Sequence, residues 1–157
     1  MKAITVPELY PFETHEDATI LLAAEDIPKY HYCEETLTDE NFYIEPVKGP
    51  KAGGFLEVSP TGGMSFKFED AIAALEALVE KTKRKFRFGT ALEALLFFQQ
   101  NRSVCSRYFI VPGTLWKDKV HNKILDWNPE AKKLNVNYAD SGWFSFEGVF
   151  IVEDLKP

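Results

Sequence analysis

Residues 66–100 read FKFEDAIAALEALVEKTKRKFRFGTALEALLFFQQ and hold the two longest helical patterns of the chain. From Glu69 to about Lys83, Ala71, Ile72, Leu75, Leu78 and Val79 recur at intervals of three and four, leaving Glu69, Asp70, Glu76 and Glu80 on the other side. That spacing predicts a helix over about 69–83 with one buried stripe. Its basic end, Lys81, Lys83, Arg84 and Lys85, complements the negative end of the helix dipole, so the run has a structural use before any anion is invoked. Residues 89–100 are apolar almost all round through Ala91, Leu92, Leu95, Leu96, Phe97 and Phe98, which predicts a second helix central to the core. FKFEDAIAAL at 66–75 and FRFGTALEAL at 86–95 are identical at five positions and match in type, basic and aliphatic, at two more. Two copies do not make an array, and a common strand-to-helix transition explains the likeness more simply than a repeat does.

The flanks read as strands and turns. Before the first helix, KYHYCEETL and NFYIEPV around TDE predict an aromatic-rich hairpin, and FLEVS and MSFKF around Pro60-Thr61-Gly62-Gly63 predict another. KGPKAGG, between those hairpins, reads as the clearest loop of the chain. A short helix is expected at 17–26, beginning near His15-Glu16-Asp17 and ended by Pro28. After the second helix, SVCSRYFIV predicts a strand closed by Pro112-Gly113, and NKILDW, KLNVNY and WFSFEGVFIV then predict a three-stranded meander with turns at NPEA and ADSG. The fold class expected is therefore α+β, with antiparallel hairpins and a C-terminal meander packed around two adjacent helices. A single domain is expected over 1–157, with 51–157 as its core and 1–50 as an acidic subdomain or extension.

With 157 residues, 45% of them apolar and 27% charged, the chain belongs to neither the disordered nor the fibrous class. A single core of this size buries about two thirds of the unfolded surface without disulfide or metal staples. Aromatic residues, 14% of the chain, are in excess and suit strands or flat binding surfaces. The apolar runs ILLAA and ALLFF are too short to span a bilayer, and MKAITVPELYPF has no secretory pattern. Cys33 and Cys105 form no CxxC motif, so reduced thiols in a cytoplasm are expected. The net charge of −6 argues against nucleic acid as a partner, but the charges are sorted. Residues 1–45 carry −9 and residues 81–123 carry +8, a pattern that fits a solvated accident, an acidic face for a partner, or a basic pocket for an anion.

Catalytic motifs are nearly absent: no GxGxxG, Walker loop, HExxH, GxSxG or paired Cys/His spacing occurs, so no enzyme activity, cofactor or metal is expected. His31 and Cys33 with Cys105 or His121 make a weak metal set, since zinc ligands ordinarily come in paired spacings. His15 reads as a helix-start residue rather than a general base. Cys105, beside Arg107 in a predicted strand, reads as an inert thiol rather than a nucleophile.

Phe88-Gly89-Thr90-Ala91-Leu92-Glu93-Ala94-Leu95, followed by Asn101-Arg102-Ser103-Val104 and Phe109-Ile110-Val111-Pro112-Gly113, resembles the opening of the phage Thoeris anti-defence proteins of the small type that sequesters cyclic ADP-ribose signals. The chain departs from the family pattern at Ser106, where an arginine is usual and Arg107 stands next to it, and at Phe109, which replaces a tryptophan. Of the family's closing aspartate-tryptophan motif only Val149-Phe150 remains in place, and residues 1–65 lie outside the resemblance. The resemblance implies an oligomeric, non-enzymatic protein that holds a nucleotide-derived second messenger intact and so silences an immune effector, in the cytoplasm of a bacterial host. A pyrophosphate-bearing ligand needs cationic donors, which Arg102, Arg107, Lys117, Lys119 and Lys123 offer, and an adenine needs a flat apolar face, for which Tyr108, Phe109, Trp116 and Trp127 are candidates. Each has an ordinary alternative use: the cations in solubility, Phe109 and Trp127 in the core.

A rival reading makes the chain an acidic inhibitor or immunity protein that docks on a basic host enzyme, a host defence protein or a nucleic-acid-binding protein, with Glu34, Glu35, Asp39, Glu40 and Tyr43 in the interface. A third treats 106–152 as a small barrel binding nucleic acid through 81–123, against which the overall acidity counts.

Overall fold

The computed structural model describes residues 6–14, 49–59, 66–104, 107–117, 122–130, 133–138 and 148–155. The elements are β1 (Leu9–Thr14), β2 (Gly49–Glu57), α1 (Phe68–Thr82), β3 (Arg87–Phe88), α2 (Ala91–Gln100), a single 3-10 turn (Arg102–Val104), β4 (Phe109–Lys117), β5 (Asn122–Asn128), β6 (Lys133–Tyr138) and β7 (Gly148–Asp154). The strands form one seven-stranded sheet in the order β1-β2-β7-β4-β5-β6, with β3 paired to β7. Every pairing is antiparallel except that of β4 with β7. The fold is α+β, and among the described residues no helix is long and apolar enough to cross a membrane.

Both helices form where the periodicity places them. In α1, Glu69 and Asp70 sit in the first turn, the Asp70 carboxylate accepts from the Lys67 backbone N–H at 2.9 Å, and Lys83 ends the helix in the left-handed region at φ 57°. In α2, Thr90 is the N-cap: its hydroxyl accepts from the Glu93 N–H at 3.2 Å while the Glu93 carboxylate accepts from the Thr90 N–H at 3.0 Å. This reciprocal pair satisfies two N-terminal donors that the helix cannot bond internally.

Alternation along the strands puts the helices on opposite faces of the sheet. Leu56, Ile110, Ile124, Val149 and Ile151 pack with Ala71 and Leu78 of α1. Their strand neighbours carry rings toward α2. Phe97 lies 5.4 Å from Phe12, 5.6 Å from Phe55 and 5.1 Å from Phe150, and Phe98 stacks on Trp127 at 4.0 Å. Many of the described rings thus pack against one another within the core.

Several expectations need correction. The glycine-rich segment 49–54 is not a loop but most of β2, an interior strand between β1 and β7. Its lack of side-chain bulk is what the position requires, because a Cβ on Gly53 would meet the Phe97 ring at 2.8 Å. FLEVS belongs largely to the same strand, with Phe55, Leu56 and Glu57 paired to β7; of MSFKF, Phe66 forms a single bridge and the helix begins at Phe68, while 60–65 lie outside the described residues. Arg102, Ser103 and Val104 form a 3-10 turn, and β4 starts at Phe109 and runs through Pro112-Gly113 with a bulge between Val111 and Trp116. The β5–β6 hairpin is as expected, but β7 returns to the middle of the sheet instead of continuing the meander. The expected hairpin at 29–47 and helix at 17–26 lie outside the described residues.

One junction organises the centre. β7 pairs with β4 at Gly148 and Val149 and with β3 at Ile151 and Val152, so β3 enters where β4 diverges. Gly89 carries the join: its N–H donates to the Phe150 carbonyl at 3.1 Å, and its own carbonyl accepts from Gly113 N–H at 2.9 Å. A Cβ on Gly89 would run into the Phe150 ring, and one on Gly113 into the Gly89 carbonyl. The two glycines are held by close approach of backbone to its neighbours.

Candidate functional site

The described charges gather around β7. Lys51 stands opposite Asp154 in the β2–β7 register, and its ammonium donates to Asp154 Oδ1 at 2.6 Å and lies 3.7 Å from Glu93 Oε2. Arg87, on the two-residue β3, donates to both Glu93 oxygens at 2.6 Å, to Asp154 Oδ1 at 2.9 Å and to Asp154 Oδ2 at 3.1 Å. Lys51 is 1% exposed and Glu93 2%, whereas Asp154 opens to solvent with its side chain 49% exposed. The cluster lies below the N-terminus of α2, at the rim of the aromatic layer. Two cations face two carboxylates, and the forked guanidinium meets Glu93 bidentately, the strongest geometry for such a pair.

Hydrogen bonds donated to Glu93 hold the Arg87 guanidinium above its ordinary value against the opposing effect of burial, with Asp154 adding to the rise. Asp154 is held below the ordinary carboxylate range by Arg87 first and by Lys51 second. On the α1 side of β7, Arg84 donates to both oxygens of Glu153 at 2.9 and 2.7 Å, lies 4.6 Å over the Phe86 ring, and keeps the Glu153 carboxyl low.

These depressed carboxyls fix the sign of an acid response. A group whose folded value lies below its unfolded one stabilises fully above the unfolded value, and that contribution is lost as pH falls through the folded one. The urea midpoint is therefore expected to hold down to about pH 5 and to fall progressively below about pH 4. Asp154→Asn should lower the neutral plateau and flatten the acid limb. An acid limb unchanged in that variant would show that the cluster does not titrate in this way. Because Asp154 is half exposed, salt should shrink the effect.

The expected ligand residues part company. Phe109 and Trp127 are each 2% exposed, Phe109 stacked on Phe55 at 3.9 Å and Trp127 on Phe98, so their ring faces are taken by the core and are not open to an adenine. Arg102 opens the 3-10 turn after α2, and Trp116 stands opposite Lys123 beyond the β4 bulge. Arg107 and Tyr108 remain at the surface on the approach to β4. Arg107, its side chain 53% exposed, donates to Glu57 at 2.8 Å. Partial burial and the Glu130 carboxylate beside it raise the Tyr108 hydroxyl above its ordinary value. Among the described cations, Arg84, Arg87 and Arg107 each answer an acid, at 57, 93, 153 or 154.

Glu34, Glu35, Asp39, Glu40 and Tyr43 lie outside the described residues, as do His15, His31, Cys33, Cys105, Lys119 and His121. Among the described residues no group of three or more His, Cys, Asp or Glu is placed to hold a metal. Sequence reasoning missed the Lys51–Arg87–Glu93–Asp154 cluster. One signal for it was present, since Thr90-x-x-Glu93 ahead of an apolar run is a capping box and marks Glu93 as bound to the helix start. No protein-family model, curated protein or solved structure matches this chain.

Proposed function

We propose that this chain is a non-catalytic binding protein that sequesters a pyrophosphate-bearing, nucleotide-derived signal of the cyclic ADP-ribose type in the cytoplasm of a bacterial host, as its resemblance to phage anti-defence proteins over 86–113 implies. The observation that carries the reading is the place of Arg107 and Tyr108, an exposed cation and a half-buried ring side by side downstream of the Phe88-Gly89-Thr90-Ala91-Leu92-Glu93-Ala94-Leu95 motif. The Arg107–Glu57 pair is exposed, and such pairs contribute only about 0–1 kcal/mol, so a phosphate can take the guanidinium from Glu57 at little cost. Arg87, locked to Glu93, is not recruitable in this way.

Cyclic ADP-ribose and its isomers are expected to raise the melting temperature of the full chain in proportion to the logarithm of their concentration, and to be recovered chemically unchanged after heating. Arg107→Glu should abolish the shift, and Glu57→Gln, which removes the competing carboxylate, should enlarge it. A saturating panel of these nucleotides that leaves the melting temperature unmoved would end the proposal.

A further inference from the structure

At β1 the backbone that faces away from β2 is already bonded: the Glu13 N–H donates to Gln100 Oε1 at 3.1 Å, and Gln100 Nε2 donates back to the Glu13 carbonyl at 3.0 Å. Opposed residues of an antiparallel pair exchange two such bonds, so the Gln100 amide stands in for the residue that a further strand would set against Glu13. Beside it Asn101 Nδ2 donates to the Pro11 carbonyl at 3.2 Å, and Pro11 has no N–H to offer. By the alternation of the ladder, Leu9, Pro11 and Glu13 turn their peptide groups the same way, and side chains from the end of α2 hold two of the three. The core fixes both amides in place. The Phe97 ring, one turn before Gln100, packs edge-on against Phe12 at 5.4 Å and lies 6.5 Å from Tyr10, and the Asn101 N–H donates to the Phe97 carbonyl at 2.8 Å.

Solvation does not call for these bonds. Pro11, Glu13 and Gln100 are all exposed, and water satisfies an exposed peptide group as well as an amide does. What water cannot do is exclude a strand. We propose that Gln100 and Asn101 are strand guards, whose amides occupy the outer hydrogen-bonding positions of β1 and so keep a second copy of this chain from adding its own β1 there. The strand is suited to that unwanted pairing. Set antiparallel to itself about Pro11, it places Leu9 against Glu13 at both ends, where each couple exchanges two bonds, and Pro11 against Pro11, where no donor is stranded. Tyr10 then stands opposite Phe12, an aromatic match of the kind that stabilises an antiparallel pair, and no like charges oppose one another. Covering an edge and placing proline on it are the means by which native sheets refuse such partners, and β1 carries both.

The test uses the full chain, with light scattering during size-exclusion chromatography over a series of concentrations. Gln100→Met keeps the length of the side chain and removes both of its bonds to Glu13, and Asn101→Ser withdraws the bond to Pro11. With both changes the mass at high concentration is expected to reach about twice that of the wild type, the closed contact of two identical edges. Adding Glu13→Pro deletes the freed donor at a position where an edge strand accepts proline, and the mass should return to the wild-type value. A role confined to fastening β1 gives a different pattern: each substitution lowers the urea midpoint and none changes the mass. A double variant whose mass follows the wild type at every concentration would overturn the proposal, as would a rise that survives Glu13→Pro. Should the double variant unfold, Gln100→Met alone decides, since its mass must still climb above the wild type with concentration.

Discussion

Glu93→Ala is expected to lower the stability of the fold by about 3–5 kcal/mol, because removing one partner of a buried ion pair leaves charge without compensation in the interior. Glu93 is the hinge of the cluster: it takes both forks of Arg87, faces the Lys51 ammonium, and accepts from the Thr90 N–H at the head of α2. After truncation, Lys51 at 1% exposure and Arg87 share Asp154 alone, and the buried group passes from neutral to net positive. The N-cap of α2 is weakened in the same stroke, a loss of about 1 kcal/mol in isolation. Lys51→Met should cost less, since Arg87 and Glu93 keep their bidentate bond and an apolar chain of similar length fills the volume. Urea unfolding of the three proteins checks the order. A Glu93→Ala loss below about 1 kcal/mol would mean that the carboxylate is not held between those cations.

Gly113→Ala is expected to be the most damaging addition of a single methyl group anywhere along β4. The new Cβ would enter the space of the Gly89 carbonyl and stand 2.8 Å from the Phe88 carbonyl oxygen, and neither is a flexible side chain that can swing away. Forced displacement of packed groups costs about 1–3 kcal/mol, and loss of the Gly113–Gly89 hydrogen bond about 1 more. Gly49→Ala makes the contrast. Gly49 has φ +114°, yet nothing lies within 4 Å of a Cβ there, so its cost is backbone strain without any collision at the β3–β4 junction. Amide chemical shifts should separate the two, moving at Phe88, Gly89 and Phe150 in Gly113→Ala and staying fixed there in Gly49→Ala. Equal and small effects on both shifts and unfolding would refute the tight junction.

What could be read in the chain was local. The stripe Ala71, Leu75, Leu78 and the apolar run Leu92, Leu95, Leu96, Phe97, Phe98 are local patterns, and they place α1 and α2 to within two residues. NPEA between NKILDW and KLNVNY is equally local, and the β5–β6 hairpin follows from it. β2 was illegible for the opposite reason. Gly-Pro-Lys-Ala-Gly-Gly has the composition of a loop, and only its neighbours in the fold, the Phe97 and Phe150 rings at Gly53 and the β1 side at Gly54, turn its emptiness into a fit. The same holds for the charges. Arg84, Arg87 and Arg107 read as one basic run, but each is answered by an acid that topology alone brings near, Glu153, Asp154 and Glu57 among them. The aromatic count suggested a binding surface, because composition does not reveal whether rings stack on a guest or on one another.

β7 bonds to β2, β3 and β4, and it follows all three in sequence. Emerging from the ribosome, those strands have no shared neighbour until residues 148–154 arrive, and the phenylalanines meant for the α2 side wait in water meanwhile. Closure is therefore a late event governed by a distant contact, and until then the waiting apolar surface is open to aggregation. A circular permutant that places this strand ahead of its neighbours would shorten the wait.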